Sequence, residues 1–151
     1  DSLVGTTDIY ATILDYVGLE MPSTKESAAR SMRPLIENKP IVWENACFME
    51  QEETRSIRTE KWLFMKRLVN TEYGFKDELY DLVNDPDERK NLSQQPDYAD
   101  VVANLSDQLD DFFSQHSNPC WNLWKGGSVK SNSTRPFLWQ EVWGKDWKPE
   151  Y

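Results

Sequence analysis

Residues that could perform chemistry are scarce in this 151-residue sequence. The densest polar cluster contains the carboxylates of Glu50, Glu52 and Glu53 and ends at Arg55. Paired carboxylates can perform general acid–base catalysis, and a planar guanidinium can bind an anionic group through two parallel hydrogen bonds. The alternatives are a solvated connecting loop and an Arg55 side chain that pairs with Glu52 or Glu53.

The single histidine, His116, stands between Ser114 and Ser117 where a helix is predicted to end. A Ser–His nucleophile is conceivable there, but a solvated histidine at a helix end is the favoured interpretation. Cys47, Cys120 and one histidine cannot assemble a zinc site within the chain. The two cysteines are either buried thiols or a disulfide that ties the C-terminal segment to the body.

Composition and charge exclude several classes of protein. The net charge is −9, which argues against binding to a nucleic-acid backbone or to an anionic membrane surface. No stretch approaches the ~20 apolar residues of a membrane span. Residues 1–7 have neither a basic start nor an apolar run, so we expect no signal peptide within the chain, which begins as if cut from a longer one.

The pattern of apolar residues predicts the elements that must position these side chains. A first helix follows the N-cap candidates Thr6, Thr7 and Asp8 and ends at Gly18. A short helical turn is expected over 31–36, and a second turn is expected to begin at Asp85 and Pro86. Runs of β-forming residues predict strands over 41–48, 54–59, 62–65 and 78–82, and their spacing favours an antiparallel sheet.

A longer helix is predicted over 96–115, and its apolar stripe is expected to cover one face of the sheet. That stripe contains Val101, Leu105, Leu109, Phe112 and Phe113. The last 35 residues carry five of the seven tryptophans. Such a segment is expected to pack onto a body, and a sugar-stacking platform is the alternative.

Four segments, taken in order, resemble the C-terminal region of type I sulfatases, the formylglycine-dependent arylsulfatase-like family. They are residues 7–19 (TDIYATILDYVGL), 30–36 (RSMRPLI), 55–64 (RSIRTEKWLF) and 78–92 (ELYDLVNDPDERKNL). The last is the most specific. The chain departs from the family pattern at Ala11, where proline is usual, and at Ala29, where glycine is usual.

The resemblance implies an α+β subdomain of an alkaline-phosphatase-like enzyme, with a small antiparallel sheet of about four strands packed by a C-terminal helix. Residues 1–38 would end the catalytic-domain region, 39–116 would form the subdomain, and 117–151 would be a Trp-rich extension. The expected partners are a missing N-terminal catalytic domain and a sulfated small molecule or glycan. The expected location is periplasmic, secreted or lysosomal.

The family hydrolyses sulfate esters with a formylglycine made in a C/S-x-P-x-R motif and with a calcium ion, and neither Cys47 nor Cys120 stands in such a motif. The resemblance therefore implies that this segment has no catalytic residue, no metal ligand and no cofactor of its own, although the parent enzyme would bind calcium. The segment would border the substrate cleft through Glu50, Glu52 and Arg55. The remaining alternatives are a non-catalytic carbohydrate-binding module that uses the Trp-rich segment and a free-standing α+β interaction protein.

Overall fold

The computed structural model describes residues 2–21, 27–51, 54–67, 76–118 and 122. Two helices are followed by four strands, one 3-10 turn (Pro96–Tyr98) and a long helix. The helices are α1 (Thr6–Tyr16), α2 (Arg33–Ile36) and α3 (Ala99–His116), and the strands are β1 (Ala46–Gln51), β2 (Thr54–Thr59), β3 (Trp62–Arg67) and β4 (Glu78–Asp81). The predicted α+β arrangement, a four-stranded antiparallel sheet with one packed helix, is confirmed.

Helix α1 begins after Gly5 and ends before Gly18. The Asp8 carboxylate accepts a hydrogen bond from the Gly5 N–H at 2.9 Å, which satisfies a backbone donor at the helix start. Gly18 has a φ of 71°, a left-handed conformation that glycine adopts at little cost. The buried residues of α1 are Asp8, Ala11 and Thr12. This helix is therefore held to the chain mainly by polar contacts.

The four strands pair in the order in which they occur along the chain, each antiparallel to the next. Strand β1 begins at Ala46 and ends at Gln51, opposite Thr54 of β2. The sequence predicted a strand over 41–48 and a connection beginning at residue 50, so that prediction placed β1 too early. Residue type alone favoured the earlier apolar run, whereas the strand limits are set by pairing with β2.

Helix α3 covers one face of the sheet with the stripe that the sequence predicted. Leu105, Leu109 and Phe113 are buried, and Val101 and Phe112 are partly buried against them. The sheet contributes Ile57, Phe64 and Leu79, each of which is fully buried. Burial of one large apolar side chain stabilises a fold by about 1.5–3 kcal/mol. The sheet and α3 therefore form the stable body of the described chain.

The chain after β4 forms turns where the sequence predicted the start of a helical turn. The Asp85 carboxylate accepts a hydrogen bond from the Lys90 N–H at 2.8 Å and so closes a loop instead of capping a helix. Glu88 has a φ of 56°, which interrupts any right-handed helix at this point. Asp85, whose residue type is typical of a helix cap, therefore accepts its hydrogen bond within this turn and does not start a helix.

The loop that follows covers the outer edge of β4. The Asn91 side-chain oxygen accepts a hydrogen bond from the Leu79 N–H at 3.1 Å, and the Leu92 N–H donates to the Leu79 carbonyl at 2.8 Å. The Ser93 hydroxyl and the Asn91 amide both donate to the Asp77 carbonyl. These contacts satisfy backbone groups that an outer strand would otherwise present to solvent.

Candidate functional site

Two of the three residues predicted to bind substrate, Glu50 and Arg55, meet where β1 and β2 are joined. Strand pairing places them directly opposite each other, and Arg55 Nε donates to Glu50 Oε2 at 2.5 Å. The Arg55 side chain is 5% exposed and the Glu50 side chain 32% exposed. Glu52 and Glu53 lie outside the described residues. Arg55 thus makes an ion pair with Glu50, a partner that the sequence interpretation did not name, while the predicted pairing with Glu52 or Glu53 lies outside the described residues.

Arg55 also binds the chain beyond α3. Its Nη2 donates to Ser117 Oγ at 3.3 Å and to Asn122 Oδ1 at 3.0 Å, and its guanidinium lies 4.1 Å from the centre of the Phe113 ring. Asn122 is itself buried. A buried guanidinium needs such partners because removing a charge from water is costly. A contact between Glu50, Glu52 or Arg55 and a substrate stays a prediction.

A second charged cluster, which the sequence interpretation missed, ties α1 to the segment before β1. The buried Asp8 carboxylate accepts hydrogen bonds from the Arg30 N–H at 2.8 Å and from the Arg30 guanidinium at 3.3 Å. That guanidinium also donates to the Glu44 carbonyl at 2.7 Å and lies 4.0 Å from the centre of the Trp43 ring. Asp8 and Arg30 each lie in a segment that resembles the sulfatase family. That shared resemblance was the sequence signal that could have drawn attention to both residues. Asp8 was interpreted only as a helix-start residue.

An open cleft of about 880 Å³ lies between this cluster, the start of β1 and the C-terminal half of α3. Its lining mixes amide, carboxylate and aromatic groups, and Arg30 is the one arginine among the described residues that line it. Because the Arg30 guanidinium already binds Asp8 and Glu44, the lining favours neutral hydrogen-bonding groups over an anion. The polar and aromatic lining residues include Asp8, Glu44, Phe48, Gln108, Asp111, Phe112, Gln115 and His116.

The contacts of His116 do not support a Ser–His nucleophile. Its ring lies 4.7 Å from the Phe112 ring, and its Nδ1 is buried without a hydrogen-bond partner. The Ser114 hydroxyl donates to a carbonyl of its own helix, and Ser117 Oγ accepts from Arg55. His116 is half-buried, not solvated as the sequence interpretation had it, because the Phe112 ring of its own helix packs against it.

Within the described ranges, no three His, Cys, Asp or Glu side chains lie close enough together to hold a metal ion. A calcium site needs six to eight oxygen ligands, so the described residues do not fit a calcium ion, which the family resemblance places in the rest of the parent enzyme. Cys47 is a free thiol whose pKa is raised by burial, and Cys120 lies outside the described residues. In the part of the chain that the structure describes, no helix has the length and apolar character needed to cross a bilayer.

A polar network lies on the sheet face opposite α3. The Glu78 carboxylate accepts hydrogen bonds from the Arg67 guanidinium and, at 2.7 Å, from the Tyr80 hydroxyl. Burial and the adjacent Glu78 carboxylate raise the pKa of Tyr80 to about 12. Burial alone would raise the pKa of Glu78, but hydrogen bonds from Tyr80 and Arg67 hold it below its ordinary value. Glu78 is thus fixed as an ionised acceptor.

Comparison with known proteins matches residues 1–115 to a family described as N-sulphoglucosamine sulphohydrolase, C-terminal. Over 119 residues, the sequence is 29% identical to the Delta 4,5-hexuronate-2-O-sulfatase of Bacteroides thetaiotaomicron, a match that covers 73% of this chain and 24% of that protein. The chain therefore spans about a quarter of the length of this relative.

Solved structures show the same fold. A 2-O GAG sulfatase matches with a TM-score of 0.58 and 28% identity, covering 71% of this chain and 24% of that one. A protein in complex with its substrate D-glucosamine-2-N,6-O-disulfate matches with a TM-score of 0.59 and 26% identity, covering 72% and 23%. The phosphonate monoester hydrolase of Agrobacterium radiobacter, at 23% identity and a TM-score of 0.63 over 77% of this chain and 26% of that one, shares the fold alone.

Proposed function

The chain belongs to the family of N-sulphoglucosamine sulphohydrolase C-terminal regions, and on that premise we propose that it is the C-terminal portion of a sulfatase that acts on a sulfated sugar. The named substrate of one structural relative is a disulfated glucosamine, and another relative is a hexuronate-2-O-sulfatase. These names support a sulfated sugar as the substrate class. The reaction is hydrolysis of a sulfate ester, and the chain completes the fold around the site.

The observation that carries this proposal is an exposed apolar stripe on α1. Ile9, Ile13 and Val17 repeat at helical spacing and are 52%, 57% and 61% exposed, while Tyr10 and Tyr16 widen the stripe. A water-soluble protein rarely leaves a contiguous apolar face of this kind uncovered. Because the chain spans only about a quarter of its relative, we assign this face to the catalytic part of the same enzyme.

The segment between α1 and β1 supports the same assignment. Ile36, Ile41 and Val42 are 58%, 44% and 100% exposed, and all three lie in the connection that leads from α1 to the sheet. Their burial against the catalytic part would stabilise the complete enzyme by about 25 cal/mol for each Å² removed from water. The sheet and α3 already have a core of their own, so this connection is where the two parts join.

We assign the substrate border to the joined end of β1 and β2. Glu50 is the exposed member of its pair with Arg55, and carboxylate oxygens accept hydrogen bonds from sugar hydroxyl groups. The reactive formylglycine and the calcium ion of the parent enzyme belong to the remainder of the protein. The chain alone is therefore inactive. From its resemblance to the family, we expect the parent enzyme to work in the periplasm, the lysosome or outside the cell.

The test compares the full-length protein with the 151-residue chain. Glucosamine-2-N,6-O-disulfate and a 2-O-sulfated unsaturated disaccharide are the probes, and released sulfate is measured by ion chromatography. We expect sulfate release by the full-length protein only. Sulfate release by the chain alone, or none by the full-length protein with any sulfated sugar, would contradict the proposal. Tight glycan binding by the chain alone would instead identify a carbohydrate-binding module.

A further inference from the structure

We propose that Arg55 is a positioning residue that fastens the segment after α3 to the sheet and holds the Glu50 carboxylate, and that it does not bind the anionic group of a ligand. Its effect on substrate affinity rests on the proposed function. Its effect on the segment after α3 does not, because that contact lies within the chain.

The guanidinium of Arg55 is committed to contacts inside the chain. Nε donates to Glu50 and Nη2 donates to both Ser117 and Asn122, while the Phe113 ring covers one face. Anion recognition by arginine uses two parallel N–H donors that an incoming group can reach. With 5% of its side chain exposed, Arg55 does not offer that pair of donors to solvent.

Arg55 joins three parts of the chain that are distant in sequence. Glu50 lies on β1, Phe113 lies in the last turn of α3, and Asn122 lies 67 residues beyond Arg55. Asn122 is 3% exposed although it follows the end of α3. A buried amide that accepts a charge-assisted hydrogen bond is an anchor, so the chain leaves α3 from a fixed point beside the end of β1.

The same contacts determine what the sheet end can present to a sugar. Glu50 balances the charge of Arg55, and about a third of its side chain remains exposed. A carboxylate accepts hydrogen bonds from hydroxyl groups and repels a sulfate. Arg55 therefore acts through Glu50: it fixes an acceptor for an unsulfated hydroxyl, and the sulfate must lie elsewhere.

Three variants of the full-length protein test this inference. Arg55→Met removes the donors but keeps an apolar stem, whereas Asn122→Ala removes a partner and leaves the charge of Arg55 in place. Arg58→Met is the matched control because Arg58 lies on the same strand, its side chain is half exposed, and its nearest carboxylate, on Glu88, is 3.9 Å away. The two readouts are the rate of limited proteolysis after residue 118 and the KM and kcat for a sulfated sugar.

We expect Arg55→Met and Asn122→Ala both to accelerate cleavage after residue 118. Arg55→Met also releases Glu50 and should raise KM by about five- to tenfold, with kcat changed less than about twofold. Arg58→Met should change neither readout. An increase in KM with Arg55→Met that persists in a Glu50→Gln background would show that Arg55 itself contacts the substrate and would overturn the proposal. Unchanged proteolysis in both variants would also overturn it.

The two proposals fail in different ways. If the full-length protein releases no sulfate from any sugar, the proposed function fails, while proteolysis after residue 118 still decides whether Arg55 anchors that segment. If Arg55→Met does not fold, Asn122→Ala still tests whether the segment after α3 is anchored, with the guanidinium intact. Normal activity with unchanged proteolysis in Asn122→Ala would refute the positioning role alone.

Discussion

Helices α1 and α3 have similar amphipathic patterns, but the described chain covers the apolar stripe of only one of them. Leu105, Leu109 and Phe113 of α3 are at most 9% exposed, whereas Ile9 and Ile13 of α1 are more than half exposed. The side of α1 that faces the rest of the described chain instead carries small or polar groups: a carboxylate, a methyl group and a hydroxyl. An apolar repeat therefore predicts a helix but does not tell which surface will cover it.

The difference separates the described chain into a part that shares one apolar core and a part whose apolar face is exposed, which is the face that we assign to a neighbour. The sheet and α3 share a continuous apolar core. Helix α1 is attached through the Asp8–Arg30 cluster, a polar connection of modest strength. Substitutions in the two helices should therefore affect different properties of the protein, and the predictions below follow from that division.

The largest expected effect follows from removing part of the α3 core. Leu109→Ala should lower the free energy of unfolding of the chain by about 2–5 kcal/mol, because it leaves a cavity at a fully buried position. Chemical denaturation followed by circular dichroism measures this change. Ile13→Ala on α1 is the matched control and should change the same quantity by less than about 0.5 kcal/mol. Equal losses in the two variants would refute the division.

A charge on the α1 stripe should act only where that stripe is covered. If α1 packs on the catalytic part as we propose, Ile13→Asp should destabilise the full-length protein by about 2–3 kcal/mol, because the carboxylate would then be buried. The same substitution in the 151-residue chain should leave the unfolding midpoint unchanged. Thermal unfolding of both proteins gives the comparison. An equal effect in the two would mean that α1 has no partner outside the chain.

The polar attachment of α1 should contribute less than the α3 core. Asp8→Asn keeps the size of the side chain but replaces one acceptor oxygen by a donor that faces the Arg30 guanidinium. We expect a loss of about 1–3 kcal/mol in the free energy of unfolding, measured by chemical denaturation. Asp110→Asn is the control, since its ion pair with Lys66 is exposed and should contribute about 0–1 kcal/mol. A smaller loss for Asp8→Asn than for the control would contradict the attachment.

The smallest expected effect concerns Tyr80, on the sheet face opposite α3, and it depends on pH. Below the ordinary pKa of 10 Tyr80 is neutral in both states, but between pH 10 and about 12 only the unfolded chain loses this proton. Stability should therefore fall as the pH rises through that range, and less steeply in Tyr80→Phe. Denaturation midpoints at about pH 9 and about pH 11.5 measure the difference in slope. Identical slopes would show that Glu78 and burial do not restrain Tyr80.

Local patterns in the sequence predicted much of the fold. The α3 stripe, the end of α1 at Gly18 and an antiparallel sheet all follow from neighbouring residues, and the structure confirms them. The limits of β1 were wrong because register depends on a partner strand. The contacts of Asp8 with Arg30 and of Arg55 with Asn122 were missed because they join residues 22 and 67 positions apart. Local periodicity contains no information about such pairs.

The loop that covers the outer edge of β4 also restricts how this sheet could grow from one molecule to the next. Leu79 and Asp77 already bond to Asn91, Leu92 and Ser93, so at these positions a strand from another molecule would find its pairing groups taken. An open edge strand is the usual template for aggregation, and this loop removes that template at these positions of β4.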